Sequence, residues 1–316
     1  MIDWFKRMAA VSALAFLAAC GGSDDDPPPG TLAQEATEAG FSALVAAADK
    51  AGLVPALSDA SATLTVFAPT DAAFTSLATT LGFASAEAMV TALDGPTLAK
   101  ILQYHVLPAR KSAADLVAGG GSEATLYTFD GAAATLALNT TAGVKLTDEV
   151  LTEASVTTAD VPASNGVIHV IDKVLVPPGV LNVVQMAQLN PAFSTLVGAV
   201  VDADLAGTLS DATAEYTVFA PTNAAFEAIA STVESLTPEQ IADVLVYHVL
   251  DSQVLAADIP FGTPVATVLG QTITINAGTP PTITDSTDSP AGIVATDVRA
   301  SNGVIHVIDK VLIPTL

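Results

Sequence analysis

Apolar residues recur along this chain at helical spacing in some stretches and at strand spacing in others. Phe41, Leu44, Val45 and Ala48 fall at i, i+3, i+4 and i+7, the stripe of a helix that buries one face. Val183, Met186 and Ala187 begin a matching stretch, and Phe193, Leu196, Val197 and Val200 continue it past Pro191. Leu98, Ile101, Leu102 and His105 form a further stripe, and Ile241, Val244, Leu245 and His248 form its partner. Thr237-Pro238-Glu239-Gln240 has the spacing of a capping box, with proline where the first turn needs no donor. Strand patterns follow in each half. Residues 125–129 and 135–138 flank Asp130-Gly131, and residues 265–269 and 272–276 flank Gly270-Gln271. Residues 166–176 and 303–313 are apolar on both pleat faces, as in central strands covered on two sides. Helices first and sheet later, in each half, predict an α+β fold.

The halves are copies. TVFAPTDAAF at residues 65–74 recurs as TVFAPTNAAF at 217–226, 152 residues on. Tyr104-His105-Val106-Leu107 recurs at 247–250, 143 residues on, and ASNGVIHVIDKVL at 163–175 recurs unchanged at 300–312, 137 residues on. Constant order with shrinking spacing predicts one fold built twice, with shorter loops in the second copy; a period near 140 is that of tandem domains, not of a solenoid. Pro177-Pro178-Gly179 marks the boundary, giving domains at 31–177 and 178–316. In each TVFAPT segment a short strand stops at proline, and Thr70 or Asp71, and Thr222 or Asn223, are placed to cap the helix that follows.

Composition narrows the class. A net charge of −23 argues against a nucleic-acid binder, which needs a basic face, and against docking on anionic lipid. The chain is 51% hydrophobic and only 14% charged, so it has the apolar surface for packed cores. The sole cysteine, Cys20, excludes intramolecular disulfides, Cys-rich metal centres and a cysteine nucleophile in the folded part. Lys6 and Arg7 precede a twelve-residue apolar run over 8–19, too short to span a bilayer but the length of a signal-peptide core. The run ends Leu17-Ala18-Ala19-Cys20-Gly21, which resembles the lipobox of bacterial lipoproteins: residues 1–19 are expected to be a leader, Cys20 to be acylated, and residues 20–30 to be a tether. Gly21 after the cysteine, by resemblance to lipoprotein sorting in enteric bacteria, points to the outer membrane or cell surface.

The TVFAPTDAAF block, the Tyr-His pair and the ASNGVIHVIDKVL block, twice and in this order, resemble the fasciclin (FAS1) family. The resemblance implies two tandem domains, each a β-wedge of about seven strands packed with several helices, and work as an extracellular adhesion module. It also implies partner-binding positions. The Tyr-His motif corresponds to Tyr104, His105, Tyr247 and His248. A second pair before the closing block corresponds to Asp160 and Val161, and to Asp297 and Val298, with valine where the family pattern has isoleucine.

All four histidines lie in the repeated blocks. His105 and His248 close an apolar helix face, where a ring N–H reaches a carbonyl of the last turn, and His169 and His306 sit mid-strand in apolar runs. Both settings predict structural histidines. Asn165-Gly166 and Asn302-Gly303 have turn chemistry, read here as positive-φ geometry. Asp172-Lys173 and Asp309-Lys310 point to opposite strand faces, which disfavours mutual pairing. The Asp71-to-Asn223 change keeps capping ability and loses charge, as a structural role allows. The expectation is a non-enzymatic, lipid-anchored adhesion protein of the bacterial envelope. Its partner is expected to be an extracellular or envelope protein or polysaccharide; its contact with membrane is only through the anchor, and it has no nucleic-acid partner, cofactor or metal. One rival is an envelope scaffold or a carrier of a small apolar ligand, which requires an apolar cavity of about 300–1,000 Å³ between sheet and helices. The other is a hydrolase, which requires His169 or His306 beside both a carboxylate and a hydroxyl.

Overall fold

A computed structural model describes residues 28–287 and 289–316. The expected leader 1–19, Cys20 and most of the 20–30 tether lie outside these residues. The first domain runs α1 (Leu32–Glu38), α2 (Ser42–Lys50), α3 (Val54–Leu57), β1 (Leu64–Pro69), α4 (Asp71–Thr80), α5 (Ala86–Ala92), α6 (Gly95–Tyr104), β2 (Val106–Leu107), α7 (Ala113–Gly119), β3 (Ser122–Phe129), β4 (Ala132–Asn139), β5 (Lys145–Thr147), β6 (Glu153–Ala163) and β7 (Gly166–Ile171). The second runs α8 (Val183–Leu189), α9 (Ser194–Asp202), α10 (Ala206–Leu209), β8 (Tyr216–Pro221), α11 (Asn223–Glu227), α12 (Ala230–Val233), α13 (Pro238–Tyr247), β9 (Val249–Leu250), β10 (Pro264–Ala266), β11 (Thr272–Asn276), β12 (Thr282–Thr284), β13 (Ala291–Ala300) and β14 (Gly303–Ile308), with 3-10 turns at Pro191–Phe193 and Ala256–Asp258. Each domain holds one seven-stranded sheet, ordered β2-β1-β7-β6-β5-β4-β3 in the first and β9-β8-β14-β13-β12-β11-β10 in the second. The α+β expectation and the strand number both hold.

The two recurrent apolar motifs turn out to be neighbours. β1 pairs in parallel with β7, placing Thr65 against Val167 and Phe67 against His169, and β8 pairs with β14 in the same register. Every residue of β7 and β14 is buried, as the unbroken apolar pattern requires. Both strands end earlier than their apolar runs, at Ile171 and Ile308, where the chain leaves the sheet. The glycines that open them are dictated by close approach: a Cβ on Gly166 would stand 2.3 Å from the Leu64 carbonyl oxygen, and one on Gly303 2.2 Å from that of Tyr216.

Asn165 and Asn302 sit in the two-residue turns the sequence predicts, but neither adopts a positive φ, which only Gly303 of the two Asn-Gly pairs does (153°). Their buried side chains act as clamps. The Asn165 Oδ1 accepts from the Leu32 N–H (2.8 Å), and its Nδ2 donates to the Leu57 and Asp59 carbonyls (3.0 and 2.9 Å). Asn302 does the same with Val183, Leu209 and Asp211. Thr70 and Thr222 are the N-caps, as the sequence predicts. Their neighbours Asp71 and Asn223 reach instead to the first turns of α2 and α9, accepting from the Ala43 and Thr195 N–H groups (2.9 and 3.0 Å). Asp172 and Lys173 do not pair with each other. Lys173 meets buried Asp148 (2.8 Å) and Asp172 accepts from the Ser155 N–H, and Lys310 with Asp285 and Asp309 with Gly292 repeat the scheme.

The shrinking repeat is more than loop trimming. Between Thr70 and Tyr104 the first domain has nine residues more than the second has between Thr222 and Tyr247, and they hold a helix: α5 has no counterpart. Helix α7 is likewise reduced to the Ala256–Asp258 turn. At the Pro177–Gly179 boundary the domains meet through side chains. The Arg299 guanidinium pairs with Asp130 (2.6 Å) and lies over the Phe129 ring, and the Arg299 N–H donates to Glu149 (2.6 Å). Val150 and Val176 join the core cluster of the second domain.

Gly166→Ala is expected to cost about 1–3 kcal/mol, because backbone rather than a movable side chain blocks the new methyl. Gly198→Ala, in open space on α9, is expected to add about 0.5–1 kcal/mol. Urea unfolding of both variants checks the contrast.

Candidate functional site

Helix α6 ends where its apolar stripe delivers Tyr104 and His105 into the protein. The His105 Nδ1 donates to the Ile101 carbonyl four residues back (2.7 Å), and its Nε2 accepts from the Leu175 N–H (2.8 Å). A carbonyl can only accept and an amide N–H can only donate, so these partners define one neutral tautomer with both ring nitrogens satisfied. The Tyr104 hydroxyl donates to the Thr135 carbonyl (3.0 Å). The second domain repeats each bond: His248 to the Val244 carbonyl and from the Leu312 N–H, and Tyr247 to the Thr272 carbonyl. Exposure is 1% for Tyr104, His105 and Tyr247 and 2% for His248. This corrects the expectation of direct partner contact at these four positions: their side chains tie the helix to the sheet and the closing segment and offer no surface. Burial pulls both histidine pKa values down to about 4.

Asp160 and Val161 lie on a β-bulge of β6, as Asp297 and Val298 do on β13. Both aspartates adopt positive φ (58° and 62°), a conformation aspartate tolerates better than most residues. The Asp160 Oδ1 accepts from the Ala113 N–H at the start of α7, and the Asp297 Oδ1 from the Ala256 N–H. Asp160 is exposed, Val161 and Asp297 are half-buried, and Val298 is buried. Of the carried-over positions, therefore, only the bulge of the first domain presents a charged side chain outward.

The bulges also account for the strand histidines. The Asp160 N–H donates to the His169 Nδ1 (3.2 Å), and the His169 Nε2 donates to the Lys111 carbonyl (2.9 Å), with the ring stacked on Phe67. His306 does the same with Asp297 N–H, the Val254 carbonyl and Phe219. Each ring meets backbone, and neither hydrogen-bonds a carboxylate or a hydroxyl, so the constellation required by the hydrolase rival does not form at these positions. The carrier rival meets an apolar cavity between α1, α2 and the sheet, lined by Leu44, Leu57, Val66 and Ile168 among others, of about 190 Å³. Its counterpart in the second domain measures about 40 Å³. Both are smaller than the roughly 300 Å³ at which ligand pockets begin.

The sequence left the roles of three groups unread. Thr65 and Thr217 are fully buried, and each hydroxyl bridges two backbone groups of the segment after the β2 or β9 strand (Ala109 and Lys111, Ser252 and Val254). The clamping Asn165 and Asn302 are the second. Their identity in both copies was the available signal, since polar residues kept inside apolar blocks must bond something. Glu149 is the third. Burial at the domain joint, with Asp148 beside it, raises its pKa to about 7 despite the Arg299 N–H bond. Glu149 has no charged counterpart in the repeat and so carried no signal.

Comparison with known proteins adds three kinds of likeness. The fasciclin domain model matches residues 39–177 and 191–314. The chain is 41% identical over 141 residues to Protein sll1483 of Synechocystis, covering 43% of this chain and 75% of that one. It is 39% identical over 160 residues to transforming growth factor-beta-induced protein ig-h3 of Sus scrofa, covering 49% of this chain but 22% of that one. It is 35% identical over 136 residues to cell surface glycolipoprotein MPB83 of Mycobacterium bovis, covering 40% of this chain and 58% of that one. Among solved structures, a FAS1 domain pair from the insect cell adhesion molecule fasciclin I aligns over 90% of this chain and 95% of that one, with TM-score 0.44 and 17% identity.

The buried histidines predict a pH profile. The folded pKa of His105 and His248 is about 4 against 6.5 unfolded, so between those values the unfolded chain binds protons the fold refuses, and stability falls as pH falls. The loss reaches about 3 kcal/mol for each of the two by pH 4. Glu149 acts oppositely: its folded pKa near 7 exceeds the ordinary 4.5, so its protonation favours the fold as pH drops through that window. Urea midpoints are expected to decline below pH 6.5, more steeply in Glu149→Gln, which removes the offset.

Proposed function

The chain belongs to the fasciclin family, and on that footing we propose that it is a two-domain adhesion module held outside a bacterial cell by an acylated Cys20. The observation that carries this reading is the use of every histidine, and of both Tyr-His pairs, as internal fasteners in both copies. What each domain offers a partner is a shaped surface on a rigid wedge. Tandem display raises effective concentration for a multivalent partner, which suits attachment better than turnover. The basic pair Lys6 and Arg7, the apolar run over 8–19 and the single cysteine at the lipobox-like position support the anchor. The name of the MPB83 relative, a cell surface glycolipoprotein, is consistent with that placement. Among the described residues no helix is long and apolar enough to cross a membrane, which leaves the anchor as the proposed attachment. The partner is proposed to be an envelope or extracellular protein or polysaccharide.

Cys20→Ala is expected to abolish incorporation of labelled palmitate and to move the chain from the membrane fraction to the medium or soluble fraction. Deletion of residues 31–316 behind an intact leader and Cys20 is expected to reduce cell–cell and cell–surface attachment. Tyr104→Phe, which alters only a core hydroxyl, is expected to leave attachment unchanged. Undiminished attachment after the deletion rules the adhesion reading out.

A further inference from the structure

The helix missing from the second domain leaves its seat behind. In the first domain α5 packs on α2 and α4, and Met89 and Val90 enter the core cluster with Phe74, Leu77, Leu98 and Ile101. Lys50, the last residue of α2, closes this seat by donating to the Val90 and Thr91 carbonyls at the C-terminal end of α5 (3.1 and 2.6 Å). The repeat fixes the equivalent positions in the second domain: Phe226, Ile229, Ile241 and Val244 stand for Phe74, Leu77, Leu98 and Ile101, and Asp202 stands for Lys50. Among the described residues no helix takes the place of α5 over them, and of the four apolar positions Val244 alone is buried. A largely apolar groove of about 310 Å³ opens between α9, α12 and α13, with these residues on its floor. Phe226, Ile229 and Ile241 are half-buried where Phe74, Leu77 and Leu98 are buried. Gly198 and Ala199 on α9 form a low wall that lets a backbone approach closely.

The charge at the mouth of the groove is reversed. A lysine in the first domain holds the negative end of its own helix; Asp202 in the second repels such an end and attracts a cation. Asp202 also terminates α9, where a negative charge opposes that helix's own dipole, and no Lys or Arg occurs anywhere between Lys173 and Arg299 to neutralise it. The framing helices add Glu227, Glu239 and Asp243.

We propose that this vacated seat in the second domain is a docking site for a short amphipathic helix of a partner protein, bearing two adjacent apolar anchors like Met89-Val90 and a Lys or Arg in the turn that abuts Asp202. The first domain supplies the template for the occupant's shape, and the Lys50-to-Asp202 exchange supplies its charge. The proposal rests on the reading of the chain as a binding module and names the kind of partner one of its surfaces takes.

The test uses the purified chain and labelled helical peptides read by fluorescence anisotropy. One peptide keeps the apolar face of residues 85–93 with lysine at its exposed and terminal positions, a second carries glutamate at those positions, and a third is a scramble of the first. The lysine peptide is expected to bind in the micromolar range, and the glutamate peptide about tenfold more weakly or worse. Asp202→Lys is expected to invert that order. Gly198→Trp, which fills the groove from an open position on α9, is expected to abolish binding while circular dichroism stays as in the parent and urea unfolding shows no loss of stability. Absence of binding up to about 1 mM, or binding untouched by Gly198→Trp, overturns the proposal. So does a dimer in sedimentation that Gly198→Trp dissolves, since the occupant is then a second copy. Peptide binding without cellular attachment fails the adhesion reading and leaves the groove standing; attachment that survives Gly198→Trp with no peptide binding does the reverse.

Discussion

Each domain depends on a parallel pairing between two strands about a hundred residues apart in sequence, β1 with β7 and β8 with β14. A parallel pair cannot be closed by a tight turn, so a long crossover must be ordered before the pairing forms, and that entropy is offset only if the joined strands are buried on both faces. The sequence meets this demand with apolar runs. It places inside them just those polar groups that bond backbone: Thr65 to the segment after β2, His169 to the bulge and the Lys111 carbonyl, Asn165 to the start of α1 and the end of α3. Unpaired, any of these would carry a desolvation penalty; paired, each staples a helix or loop to the central strands. The repetition of the same bonds in the second domain shows that the network is part of the fold and not an accident of one copy.

The fasteners also account for the character of the protein. Histidine does chemistry when one ring nitrogen is free to take or give a proton near neutral pH. Here the rings meet carbonyls and amide donors on both sides, and burial holds His105 and His248 far below neutrality. The same burial turns Tyr104 and Tyr247 into struts. With its histidines committed to backbone partners, the fold presents outward a surface whose charge is strongly negative.

Divergence between the copies leaves the network intact. Asp71 becomes Asn223 and still binds the N-terminus of the equivalent helix, α9 in place of α2, because an amide oxygen accepts as a carboxylate oxygen does. Lys50 becomes Asp202 once α5 is gone, because no carbonyls remain there to be capped. At the joint between the domains, Glu149, Arg299, Asp130 and Phe129 have no equivalent bonds within either repeat; they hold the Pro177–Gly179 boundary against both bodies.

The amino-acid sequence by itself determined the duplication, the α+β class, the principal helices with their threonine caps, and the structural nature of the histidines. All of these follow from short-range spacing or from identity between copies, which a linear pattern carries in full. Tertiary structure alone decided that the two recurrent apolar blocks are adjacent parallel strands, that Tyr104 and His105 face inward, that Asn165 in its turn is also a clamp, and that the nine-residue contraction removes a helix and opens a groove. Pairing, facing and vacancy depend on which segments meet across a hundred residues of chain, and no local period encodes that.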